Sequence, residues 1–131
     1  MRKKLIILFC AIFCIFCVLF VLYTLNRVTT EIGESDRFTQ EEIALAMDIV
    51  KKSFEDRFGW RDRLVSLSYY EAFSESLLIA NGLDVDNTII IMSYYHQPVY
   101  GLLGHGWTLS REGATEPWIL ISGPFPGNMG H

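Results

Sequence analysis

Beyond its first 25 residues this 131-residue chain contains no cysteine; Cys10, Cys14 and Cys17 are the three it has. The remainder therefore folds without a disulfide framework and offers no thiol nucleophile. Basic side chains are scarce as well. Eleven Lys and Arg face 15 Asp and Glu, and setting aside Arg2, Lys3 and Lys4 leaves 8 against 15, a formal charge of −7. Nucleic acid and anionic membrane surfaces both reward clusters of Lys and Arg, so no nucleic-acid partner is expected and a charged lipid surface is not the main partner.

Reaction motifs are missing too. Ser93 and Ser122 lack a G-x-S-x-G elbow. The glycines of Gly101-Leu102-Leu103-Gly104-His105-Gly106 have the wrong spacing for a phosphate loop, and no Lys follows them. Asp84-Val85-Asp86-Asn87 begins like a calcium loop, but it has no Gly at the sixth position and Tyr95 stands at the twelfth, where Glu is needed. His96 and His105 form neither H-x-x-x-H nor H-E-x-x-H. Glu41 with Glu42 and Glu71 with Glu75 read as a helix cap and a solvated strand end. No catalytic residue, metal or cofactor is expected.

What the chain does have is an apolar run at residues 5–25, broken only by Thr24 and preceded by Arg2-Lys3-Lys4. As a helix its 21 residues extend about 31 Å, against a hydrocarbon core of roughly 30 Å. Fifteen of them are Leu, Ile, Phe or Val, and no charge opposes insertion. A cleaved signal peptide would have a shorter apolar region ending in a small-residue site. Phe9, Phe13 and Phe16 precede the cysteines, where a lipoprotein signal needs Ala or Gly. A signal-anchor helix is thus expected, its basic tip inside and the remaining chain outside, with membrane attachment through residues 5–25. The spacing of Cys10, Cys14 and Cys17 places them on one helix face, either as a contact face for another span or as small apolar filler.

After the span, residues 26–37 are polar and aperiodic and read as a tether. An α+β domain is expected over residues 38–123, with a flexible tail at 124–131. Thr39 and Glu42 have the spacing of a capping box, with Phe38 and Ile43 placed as a hydrophobic staple. Ile43, Ala46, Met47, Val50 and Phe54 recur at helical spacing, and Phe58 extends the stripe to Gly59. Residues 64–71 alternate as a strand with Val65, Leu67 and Tyr69 on one face. Residues 74–80 suit a short helix, and residues 88–95 a strand buried on both faces. Residues 107–111 and 118–122 should close the fold as a hairpin around Glu112 and Gly113. The expected architecture is one long helix on an antiparallel sheet of about four strands.

Phe38-Thr39-Gln40-Glu41-Glu42-Ile43, Leu67-Ser68-Tyr69-Tyr70-Glu71 and the Trp107-x-Leu109-x-Arg111 and Trp118-x-Leu120 segments resemble a group of small, uncharacterised, exported or membrane-attached proteins of Gram-positive bacteria. At the level of fold the pattern is similar to cystatin-like or NTF2-like domains. The resemblance implies a helix on a sheet and brings no catalytic residues. It departs where such proteins carry Cys after the helix and a Gly/Asn-rich loop before the hairpin; here stand Gly59-Trp60-Arg61 and Gln97-Pro98-Val99-Tyr100-Gly101.

The stretch from Tyr94 to Tyr100, continued through Gly104-His105-Gly106-Trp107, combines aromatic area with two imidazoles and glycine. Tyr95, His96, Tyr100, His105 and Trp107 are candidate contacts for a peptide or glycan, because Tyr and Trp couple large apolar area to a polar tip. The plainer alternative packs Tyr94 or Tyr95 and Trp107 into or beside the core while the loop merely turns the chain. The functional expectation is a membrane-anchored extracytoplasmic module that binds a cell-surface protein, a peptide or a wall component. Its alternatives are a small NTF2-like or hydrolytic enzyme using the His96/His105 loop, with either His96 or His105 as general base, and a membrane-complex subunit contacting partners through its span.

Overall fold

The chain after the apolar run is organised by one helix whose start and buried face are both written into its residues. Thr39 Oγ1 accepts the Glu42 N–H at 3.2 Å and the Glu42 carboxylate accepts the Thr39 N–H at 3.1 Å, completing the capping box. The computed structural model describes residues 2–25 and 27–123 of the chain; the tail expected at 124–131 lies outside the described residues. Its elements are α1 (Arg2–Leu25), β1 (Thr29–Ile32), α2 (Gln40–Phe58), β2 (Arg63–Tyr69), α3 (Glu71–Ala80), β3 (Thr88–Gln97), β4 (Gly101–Ser110) and β5 (Ile119–Ser122).

Helix α1 is long and apolar enough to cross a membrane, with its large side chains exposed along its length. In α2 the buried residues are Ile43, Ala46, Met47, Val50 and Phe54, the stripe that the spacing predicts. They pack on one sheet face built from Leu67 and Tyr69 of β2, Ile89, Ile91 and Tyr95 of β3, and Trp107 and Leu109 of β4. Phe38, the staple residue, sits edge-on to both Tyr69 and Trp118 and closes the far end of this core.

The sheet has five strands in the order β1-β2-β3-β4-β5, and it is mixed rather than antiparallel. The expected four-strand count is corrected by β1, which lies inside the segment read as a tether and pairs parallel with β2, Thr29 beside Ser66 through Ile32 beside Tyr69. Helix α2 is thereby the crossover of a β-α-β unit. Four residues of mostly polar character carry no periodicity from which a strand could be read; their pairing is set by the neighbouring strand. The Glu71 carboxylate then fixes the following segment by accepting from Ser35 Oγ at 2.5 Å, Asp36 N at 3.1 Å and Arg37 N at 3.2 Å. Glu71 is therefore an anchor, not a merely solvated strand end.

A second correction concerns residues 101–106. They form the first half of β4, which pairs with β3 along its whole length from Gln97 beside Gly101 to Thr88 beside Ser110. The turn at residues 98–100 is followed by Gly101 at φ +77°, the left-handed conformation that closes such hairpins. Gly104 lies under the ring of its cross-strand partner Tyr94, and a Cβ there would stand 2.9 Å from the ring. The expected pairing of the last two strands is also present, between Ser110 and Ile119 and between Leu109 and Leu120.

Candidate functional site

Strand alternation distributes the five candidate residues over three places. Tyr95, His105 and Trp107 point to the α2 side of the sheet, because Tyr95 and His105 share the parity of the core residues Ile91 and Trp107. His96 has the opposite parity and is exposed on the other face. Tyr100 sits in the hairpin turn and is 74 % exposed. The two histidines thus occupy opposite sides of the sheet and do not form one site.

The group on the α2 side is a hydrogen-bonded chain. Trp107 is fully buried and donates its indole N–H to Ser93 Oγ at 2.8 Å, while Ser93 Oγ donates to the His105 carbonyl at 3.1 Å. Tyr95 Oη and His105 Nε2 are 3.0 Å apart, and the Tyr95 ring packs on Phe54. Burial lowers the His105 pKa and raises that of Tyr95, so near neutral pH both are uncharged. His105 Nδ1 is buried without a partner among the described residues. A neutral imidazole closed off by its own sheet is a packing group. Tyr95 and Trp107 are core residues, in line with the plainer reading of their sequence.

Cys10, Cys14 and Cys17 are exposed on α1. Among the described residues no group of three His, Cys, Asp or Glu is placed to hold a metal ion.

A cleft that the sequence did not single out lies between α2 and the β4–β5 connection. It encloses about 520 Å³, within the usual range of small binding sites, and is open to solvent. Its floor is Trp118, and Leu45, Ile49 and Pro117 add apolar wall; Asp48, Lys52 and Glu116 supply charge at the margin. The floor is held rigidly. Trp118 donates its indole N–H to the Glu42 carbonyl at 2.9 Å, and the Arg111 guanidinium stacks 4.6 Å from the Trp118 centroid and 5.2 Å from that of Phe38. Arg111 Nη1 also reaches the Ala114 carbonyl at 3.3 Å and a Glu42 carboxylate oxygen at 3.4 Å. Glu42 therefore caps α2, pairs with Arg111 and accepts from Trp118. The available signals were Arg111 and Trp118 bracketing a Gly-containing turn, but their meeting with Glu42 depends on a sequence separation of 76 residues that no local pattern reveals.

No protein-family model, curated protein or solved structure matches the chain. The likeness to small exported Gram-positive proteins accordingly rests on the residues quoted for it.

Proposed function

We propose that the protein is a single-pass, membrane-anchored binding module whose α+β domain lies outside the cytoplasmic membrane and takes a protein or peptide segment in the cleft above Trp118. The observation that carries this reading is α1. Its apolar side chains are exposed, so the helix needs an apolar medium that the domain does not provide. The flanks give a direction, with Arg2, Lys3 and Lys4 before the helix and Glu31, Glu34 and Asp36 after it. The cleft favours binding over chemistry, since its buried arginine already stacks on Phe38 and Trp118 and pairs with Glu42, while its Nε is buried without a hydrogen-bond partner among the described residues. Its apolar floor and two marginal carboxylates, Asp48 and Glu116, suit a segment with one apolar anchor beside a basic residue. An enzyme that employs His96 and His105 together has no support in this geometry, because the two rings lie on opposite sides of the sheet.

The test is made on the full chain in intact cells. It should remain in the membrane after alkaline carbonate washing, and external protease should remove the domain. A photoreactive residue at Leu45 should then give a discrete adduct that is lost when Asp48 and Glu116 are changed to Asn and Gln. Release by carbonate, or protection of the domain until cells are permeabilised, refutes the anchored topology. Absence of any adduct in correctly oriented protein refutes the cleft.

A further inference from the structure

Four large apolar or aromatic side chains stand exposed at one end of the sheet: Trp60 at 81 %, Val99 at 81 %, Tyr100 at 74 % and Leu102 at 63 %. Their common position follows from register. Arg63 pairs with His96, so the turn that holds Trp60, before Arg63, and the turn that holds Val99, after His96, lie at the same end of the sheet. Leu102 pairs with His96 on the adjoining strand.

This is also the end at which the chain arrives from α1. Strand β1 runs parallel to β2 and begins at Thr29 beside Ser66, which itself pairs with Tyr94. Strand β3 continues three residues beyond Tyr94, to Gln97, about 10 Å at the rise of a strand, before the turn that holds Val99. Helix α1 ends at Leu25, four residues before Thr29, a span of at most about 14 Å even when fully extended. The hairpin tip therefore projects on the side from which the apolar helix arrives, by a distance comparable to the reach of the connecting chain. If α1 crosses a bilayer, the tip reaches the headgroup layer.

The chemistry of the two ends agrees with that placement. Arg27, Arg57, Arg61 and Arg63 flank the tip end, against Glu55, Asp56 and an Asp62 that pairs with Arg61. The opposite end gathers Glu41, Glu71, Asp84, Asp86, Glu112 and Glu116 with few cations, so an anionic bilayer repels it. Trp and Tyr are the side chains that settle at membrane–water interfaces, with rings among the headgroups and polar atoms in water. The acidity of the whole domain thus conceals one end that is close to neutral and aromatic.

We infer that Trp60, Val99, Tyr100 and Leu102 dock into the headgroup layer of the membrane that holds α1, giving the domain a second attachment that fixes its tilt and turns the Trp118 cleft away from the bilayer. This inference rests on the anchored reading above. The experiment reconstitutes the full chain in phosphatidylcholine vesicles containing phosphatidylglycerol, with and without lipids brominated near the carbonyl end of the acyl chain. Trp107 pairs with Ile91, six residues and about 20 Å along the strand from Gln97, and Trp118 precedes β5 at the opposite end of the sheet, so Trp60 is the tryptophan within reach of the bromines. Brominated vesicles should quench the part of the emission that Trp60 contributes, and Trp60→Phe should abolish that loss while leaving the near-ultraviolet dichroism of the domain unchanged. Protein that floats with the vesicles after carbonate washing but shows equal emission in both lipids overturns the docking and leaves the anchor standing. Protein that does not float overturns the anchor and the docking with it.

Discussion

Replacing Ser93 with Ala leaves the Trp107 indole N–H without its acceptor at a place where both residues are fully buried. The change removes one oxygen, so little packing is lost. Its cost is mainly that of an unpaired buried donor, about 1–3 kcal/mol. Loss of the bond to the His105 carbonyl adds little, because that bond is only partly buried and water can replace the donor. For a domain of about 95 residues, 2 kcal/mol corresponds to a fall in Tm of roughly 8–16 °C. The full chain in detergent micelles is the material to use, read by near-ultraviolet dichroism, because α1, with 24 residues beside the 19 of α2 and 10 of α3, adds a large far-ultraviolet helix signal that does not report on the domain. Ser93→Ala introduced into Trp107→Phe should cost at least about 1 kcal/mol less than in the native background, since no indole N–H then remains to be orphaned. A shift below about 0.5 kcal/mol in the native background, or equal shifts in both, refutes the argument.

Two further outcomes follow from the anchors on either side of the core. Glu71 is held below the ordinary carboxylate range by the Ser35 hydroxyl first, then by the Asp36 and Arg37 N–H groups and the Arg37 charge. A carboxylate whose pKa is lower in the folded state stabilises above its unfolded pKa of about 4.3, and that contribution disappears as pH falls through the folded value. Glu71→Gln should therefore lower stability at pH 7 by about 1 kcal/mol and narrow its distance from the native chain below about pH 4; parallel acid-unfolding curves would count against it. Arg111→Lys keeps the charge but loses the planar face between Phe38 and Trp118, and should cost about 1–2 kcal/mol in denaturant titrations while native-like Trp emission persists. An unchanged midpoint would show that the stacking contributes nothing.

The parts of the fold that could be read from the chain are those whose information is local. The Thr39 box, the Phe38 staple and the stripe from Ile43 to Phe54 each occupy a few turns, and each lies where its spacing puts it. The run Ile89-Ile90-Ile91-Met92 is buried throughout because β3 is the middle strand of five. The failures are equally specific. In β2, alternation names Val65 as a core residue, but a bulge between Leu64 and Ser66 turns Leu64 inward opposite Tyr95. Gly104 and Gly106 look like loop residues, yet Gly104 stands in a strand because the Tyr94 ring occupies the space over it. Strand β1 has no pattern of its own, and the Trp118 cleft needs Glu42 and Arg111 to meet from distant parts of the chain. The five residues named from the aromatic stretch do not share one surface for a related reason: the two-residue period of a strand divides them between core, back face and turn.

The parallel pairing of β1 with β2 has a mechanical meaning. Under the anchored reading proposed above, tension between the membrane and a partner held in the cleft would be delivered to Thr29, at the start of an edge strand, along the strand axis. The four paired positions from Thr29 to Ile32 then resist together in shear, and Gly33 N–H to the Tyr69 carbonyl at 2.9 Å and the three donors on the Glu71 carboxylate stand behind them. An antiparallel strand entering from the other end would instead be peeled away one bond at a time. A short polar strand next to the anchor thus makes the join between span and domain hard to pull apart.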